Sequence, residues 1–283
     1  MPEFATPEPI SVVLAAVTAN TTIIAGDRAD TVVEVRPTNE SNASDVRAAG
    51  AVRVTYADGQ LLVKGARRSS IFSSKSESFD VHIELPAGSA VDADVTSGGF
   101  TAEGRLGRCR FKTYDGGAHF EETGPVQVSL GMGRVSVARA SGDVDVSTGT
   151  GDVRLGEVEG SAVVKNLNGS TRIGRITGEL RVNSANGDTV VERAGSGVHV
   201  RSAKGGVRID EVSRGVVDLD VASGDLEVGI REGTAAWLDV NSVSGRVHNR
   251  MTPTDHAPEP GEVAEVRART IAGDIVVHRA DIR

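Results

Sequence analysis

Residues 142–159 read GDVDVSTGTGDVRLGEVE, residues 160–177 read GSAVVKNLNGSTRIGRIT and residues 178–195 read GELRVNSANGDTVVERAG. Aligned at their first glycines, the three blocks agree in glycine position and in apolar pattern. Counting from the opening residue, apolar positions fall at offsets 2, 4, 7, 11, 13 and 16, which in the middle block are Ala162, Val164, Leu167, Thr171, Ile173 and Ile176. Steps of two place alternate side chains on one face of a strand. Each block therefore reads as two short strands, each with one face turned inward. A single block cannot bury that face alone, whereas stacked copies can.

The register extends well beyond these blocks. A glycine recurs at Gly98, Gly116, Gly133, Gly151, Gly169, Gly187, Gly205, Gly224, Gly245 and Gly273. The step is 17–19 residues as far as Gly224, and then 21 and 28. Asn-Gly and Ser-Gly pairs precede the second strand, and glycine takes positive φ there without a Cβ clash. A chain that turns the same corner in every coil repeats the same residue at that corner. The expected fold is all-β: a single-chain β-solenoid resembling a right-handed parallel β-helix, with coils of about 18 residues and two strands each. Ten coils at about 4.8 Å per rung predict a rod roughly 48 Å long. A left-handed hexapeptide helix also has 18-residue coils, but its six-residue spacing is absent.

Composition bounds the rest. The chain has 283 residues, 34 glycines, 39% hydrophobic and 3% aromatic residues. That predicts a narrow interior of Val, Ala, Ile and Leu, with rings excluded. The net charge of −8 disfavours nonspecific binding to nucleic acid or to an anionic membrane. The opening MPEFATPEPI carries no basic segment, and the apolar run at 10–17 is too short to span a bilayer. The expected location is cytoplasmic. Cys109, the single cysteine, falls at an inward offset and reads as a small buried hydrophobe.

Residues 1–88 read as irregular strands and a hairpin that cap the solenoid, and residues 89–283 as regular coils. Val12, Leu14, Val17, Thr21 and Ile23 fit a degenerate first coil. Residues 38–49 suit one short helix. Asp58-Gly59 between alternating runs is a hairpin signal, residues 66–78 form a polar loop, and FDVHIELPAG is a further strand. A proline-bearing insertion at about 250–263 precedes a last coil with Val266, Ala268, Ile271, Ile275, Val277 and Ala280 inward.

The opening FATPEPISV, the strand FDVHIELPAGS, the run GRLGRCRFKT, the repeated SGDVDV and NGDTVV units and the ending EVRARTIAGDIVV together resemble the bacterial putative-adhesin family of β-strand repeats, a domain of unknown function. The resemblance covers almost the whole chain and implies a solenoid. It implies no catalytic residues.

Several constellations bear on chemistry. Asp143, Asp152, Asp188, Asp225 and Asp274 follow glycines in the repeat. Calcium-binding β-rolls need GGxGxD in series, which is absent, so these aspartates read as turn formers. The outward column at offset 12 is Thr101, His119, Ser136, Arg154, Arg172, Val190, Arg208, Glu227, His248 and Val276, and offset 14 supplies Glu103, Glu121, Glu192 and Asp210. It reads as a solvated mixed-charge face, or alternatively as a charged groove for an acidic glycan. The histidines His82, His119, His199, His248, His256 and His278 have no metal-ligand spacing. The residues assigned to partner binding are Trp237, His248, Asp255, His256 and Glu259, in and around the insertion; the bland alternative for Trp237 is a cover for a widened coil.

The expectation is a non-enzymatic scaffold or binding protein. It uses no metal or cofactor, and its partner is an unknown protein or a second copy, with glycan as a further ligand class. Nucleic acid and membrane are not expected partners. The alternatives are a glycan-binding or glycan-cleaving β-helix and an acidic DNA mimic.

Overall fold

A computed structural model describes residues 1–65, 77–251 and 263–280. The chain divides into two compact units, Met1–Ser141 and Gly142–Arg283. In both, the first strand of each regular coil joins one parallel wall and the second joins another. Fold and handling of the core follow from that pairing.

The first unit contains β1 (Glu3–Ala5), β2 (Ser11–Gly26), β3 (Asp30–Pro37), the helix α1 (Ala43–Gly50), β4 (Arg53–Ala57), β5 (Gln60–Lys64), β6 (Phe79–Pro86), β7 (Ala90–Ser97), β8 (Phe100–Arg105), β9 (Cys109–Asp115), β10 (Ala118–Thr123), β11 (Val126–Met132) and β12 (Val135–Ala140). The long strand β2 supplies both halves of a rung. It pairs in parallel with β7 and β8 on one side and with β5 and β6 on the other. The first coil of the chain is therefore not the first rung in space. The outermost rung is β5 with β6, covered by antiparallel β4 on one wall and antiparallel β3 on the other.

Local chemistry explains this cap. Asp58 and Gly59 take φ of 49° and 74°, as the expected hairpin requires. The predicted helix is α1; the side chain of its N-cap Asn42 accepts from the Ser44 N–H at 3.0 Å, and the helix packs against β3 and β6. Strand β1 adds antiparallel to β3. Residues 66–76 of the expected polar loop lie outside the described residues.

The interior of this unit corrects the expectation that rings are excluded. Phe100, Phe111 and Phe120 are fully buried, with centroid separations of 5.0 Å and 5.1 Å from Phe100 to the other two. The register shows how they fit: Phe100 lies opposite Ala118, Phe120 opposite Ala102 and Phe111 opposite Ala93. A large side chain over a small one keeps the rungs in contact without a void. Burial pushes the Cys109 thiol up to about 11.

The second unit contains β13 (Val144–Thr150), β14 (Val153–Val158), β15 (Ala162–Asn168), β16 (Thr171–Ile176), β17 (Leu180–Asn186), β18 (Thr189–Ala194), β19 (Val198–Lys204), β20 (Val207–Val212), β21 (Gly215–Ser223), β22 (Leu226–Ile230), β23 (Ala235–Ser244), β24 (Val247–Asn249), β25 (Val263–Ala272) and β26 (Ile275–Arg279). One wall runs β13-β15-β17-β19-β21-β25-β23 and the other β14-β16-β18-β20-β22-β26-β24. The last coil of the sequence is inserted between the two that precede it. The 21-residue glycine step thus passes over the rung that β25–β26 fills, the 28-residue step returns to it, and β23–β24 is the end rung.

Offsets 2, 4, 11, 13 and 16 face inward in the regular coils, as expected. Offset 7 does not: Leu167 is 58% and Ile271 60% exposed, and Ala185 and Val17 are only half-buried. Strand alternation simply continues from offset 4 to offset 6. The inward residues are Thr113, Leu130, Thr148, Asn166, Ser202, Val221 and Thr270, all buried. Sequence pointed the other way because the inward position is mostly polar and its outward neighbour often apolar. Asn166 donates to the carbonyls of Gly151 and Gly169 at 3.1 and 3.0 Å. The hydroxyls of Thr148, Ser184 and Ser202 and the Asn166 Oδ1, on four consecutive rungs, have no protein partner.

The glycine column has two causes, of which the turn is one. Nine of the ten take φ between 129° and 158°; Gly245 is the exception. The second cause is close approach. A Cβ on Gly187 would lie 2.2 Å from the Gly169 carbonyl oxygen, and one on Gly245 1.9 Å from that of Gly273. Backbones at this corner stack directly on one another.

Candidate functional site

The aspartates that follow the glycines are cross-rung clamps. Asp143 Oδ1 accepts from the Ser161 N–H at 2.9 Å, Asp152 from Ser170 at 3.0 Å and Asp188 from Gly206 at 2.8 Å. Asp225 accepts from Asp274 and Asp274 from Arg246, both at 2.8 Å, following the exchanged order of the last rungs. Each carboxylate ties its corner to the rung above by a charge-assisted bond. Among the described residues, no three His, Cys, Asp or Glu side chains stand together as a metal site.

Of the expected partner residues, Trp237 and His248 are not brought together. Trp237 is 75% exposed on the outer side of β23, so it does not cover the coil. It shares that side with Val243, 73% exposed. His248 is exposed on β24, in the opposite wall. Asp255, His256, Glu259 and most of the insertion lie outside the described residues.

What the structure does assemble is an open trough of about 1180 Å³ on the outer side of the second unit, crossing β14, β16, β18, β20, β22 and β26. Its position follows from the strands. Offsets 13 and 16 both point inward, so offsets 14 and 15 fall together on the outside, where the wall bends. At β14 and β16 offset 14 is Gly156 and Gly174, which leaves bare backbone as a floor; a Cβ on Gly174 would meet the Gly156 oxygen at 2.6 Å.

Arginines flank that floor. Arg154 and Arg172 are register partners at offset 12, and Arg175 and Arg193 are register partners at offset 15. All four line the trough, are exposed and have no ion pair among the described residues. Glu157 and Glu192 lie among them, and farther along acids outnumber arginines. Asp210 holds Arg208 at 2.5 Å and raises the guanidinium's pKa, and Glu227 meets His278 Nε2 at 3.2 Å. Glu211, Arg231 and Glu232 complete that half. The sequence identified Arg154, Arg172 and Arg208 but missed Arg175 and Arg193. A signal was present: offset 15 is charged in coil after coil, as Glu122, Arg139, Glu157, Arg175, Arg193, Glu211 and Arg279.

Stacked parallel coils with a glycine corner recur in each of the two units. A family model, Toastrack DUF4097, matches residues 11–278. The chain belongs to the Toastrack DUF4097 family. Three solved structures are similar to this Toastrack chain. A putative adhesin from Parabacteroides distasonis is 13% identical, with 98% of this chain and 95% of that one covered and a TM-score of 0.30. A putative adhesin from Bacteroides fragilis is 12% identical, with 98% and 95% covered and a TM-score of 0.25. A putative cell adhesion protein from Clostridium sporogenes is 10% identical, with 98% and 99% covered and a TM-score of 0.19. At these TM-scores the likenesses carry no argument about this Toastrack chain. No curated protein matches it. Among its described residues no helix is long and apolar enough to cross a membrane, which says nothing of strands.

Proposed function

We propose that this Toastrack chain is a non-enzymatic binding module whose partner sits in the arginine-flanked trough. The observation that carries this reading is the four arginines on three consecutive rungs that have no ion pair among the described residues. Arg175 also faces Glu157 and Arg193 faces Glu211 in register, so the uncompensated like-charge pair is Arg154 with Arg172, and an anionic partner turns that repulsion into attraction. Two acids of the trough favour the same reading. Asp210 and Glu227 are engaged by Arg208 and His278 rather than converging on a common point, as a general acid and base acting on one bond must.

The test immobilises the wild-type protein and an Arg154→Glu/Arg172→Glu variant, and applies separated protein, polysaccharide and nucleic-acid pools from the host. The reading expects one component retained by wild type, released from the variant and recovered with unchanged mass. Equal retention by the variant moves the site elsewhere. A cleaved or modified product makes the chain an enzyme.

A second reading rests on the end rung. Trp237 and Val243 share the outer side of β23, and aromatic anchors of this kind suit protein contacts. On that reading a protein partner or second copy is lost on Trp237→Ala and indifferent to the arginine variant.

A further inference from the structure

We infer that the trough takes a linear acidic polysaccharide, with its carboxylates on the Arg154–Arg172 and Arg175–Arg193 pairs and its hydroxyls on the acids of the far half. This deepens the binding-module reading and rests on it.

The direction of the trough selects a polymer over a single ion. It runs across six strands, so its length is about five rung steps of roughly 4.8 Å, or about 24 Å. A chain lying along it meets an arginine pair at either side of the Gly156–Gly174 floor. Each guanidinium is a planar fork that receives a carboxylate with two parallel hydrogen bonds. The glycine floor lets a bulky ring approach the backbone, and a Cβ on Gly174 has no room beside the Gly156 oxygen.

The two halves together select the chemistry. A polymer that offers only anionic groups meets repulsion from Asp210, Glu211, Glu227 and Glu232 and has nothing to donate to them. A polymer of uronic acid units carries several hydroxyls for each carboxylate, and ionised Asp and Glu are acceptors for those hydroxyls. Nucleic acid is disfavoured on a second count, since no Phe, Tyr or Trp among the described residues lines the trough for a base to stack on. Because the four arginines are exposed, each contact is weak and the affinity is a sum over the pairs.

The test is calorimetric titration of the full chain with short oligomers of galacturonate, mannuronate and glucuronate-containing glycan. Controls are the methyl-esterified galacturonate oligomer and a thymidine oligonucleotide of similar length. Variants are Arg154→Ala/Arg172→Ala, Arg175→Ala/Arg193→Ala and, away from the trough, Arg53→Ala/Arg108→Ala; thermal melts establish that each is folded. The inference expects at least one uronate oligomer to bind, the ester not to bind, and each trough pair to weaken binding roughly tenfold or more while the outside pair does not. Absence of binding to all three uronates, equal binding of the ester, or tighter binding of the oligonucleotide overturns it. If that happens while retention of a host component still depends on Arg154 and Arg172, the ligand class fails and the site stands. If retention is also unaffected, both fall.

Discussion

The N-terminal end of the first unit and the C-terminal end of the second solve the same problem differently. In each, the rung that lies outermost is not the one nearest the chain end. At the N-terminal end the outermost rung, β5–β6, is roofed by reversed strands β3 and β4 and by helix α1, and its inward Leu61, Val63, Val81, Ile83 and Leu85 are buried. At the C-terminal end the outermost rung, β23–β24, has no strand on its far side among the described residues. Its inward Leu238 and Val240 stay half-buried and Val247 is 43% exposed. Parallel coils cannot end themselves, because each rung presents a full edge to the next. Reversal of chain direction plus a helix closes that edge. Exchange of coil order only chooses which rung carries it.

The largest contrast between interior and end comes from the glycine column. Gly187→Ala places a methyl group against the Gly169 carbonyl inside the stack and imposes a φ that alanine avoids, so a loss of about 3 kcal/mol or more is expected in denaturant unfolding. Gly245→Ala makes a similar clash in a rung free to shift outward, and about half that loss or less is expected. Equal losses would mean that the end rung is held as firmly as the interior. Core truncation sharpens the same point. Ile83→Ala, beneath the roof, should cost about 2–5 kcal/mol, whereas Val240→Ala in the half-open rung should cost about 1 kcal/mol or less.

Smaller effects follow from the clamps and the core. Asp188→Ala leaves the Gly206 N–H without its carboxylate, for an expected loss of about 1.5 kcal/mol. Asp274→Ala releases the Arg246 N–H of the end rung, and should speed amide exchange there with little change in global stability. In the first unit the Cys109 thiol titrates near 11 when folded, above the ordinary 9.0. The folded state favours the protonated thiol, so its contribution is complete below pH 9 and declines as pH rises toward 11. Native Cys109 should resist alkylation at pH 8 and react once unfolded. Thr148→Val removes a buried hydroxyl that has no protein partner, and should leave stability unchanged or raise it by up to about 1 kcal/mol.

These contrasts also mark what could be read in the residues alone. The period, two-strand coil, hairpin and short helix were all legible, because each has a local cause at fixed spacing. Leu167 and Ile271 misled because hydrophobicity and strand alternation disagree where the inward neighbour is Asn166 or Thr270. The exchange of rung order left no local trace, since any coil in register offers the same edge to any other. The trough was half legible: Arg154 and Arg172 stand in an alternating column, but Arg175 and Arg193 lie at a bend where alternation breaks.

The most direct measurement is hydrogen–deuterium exchange of the folded chain, followed peptide by peptide over β21, β23 and β25. With β25 enclosed between β21 and β23, residues 263–272 should be protected about as well as 215–223, and residues 235–244 should exchange first. Fast exchange at 263–272 with protection at 235–244 would restore stacking in sequence order and contradict this architecture.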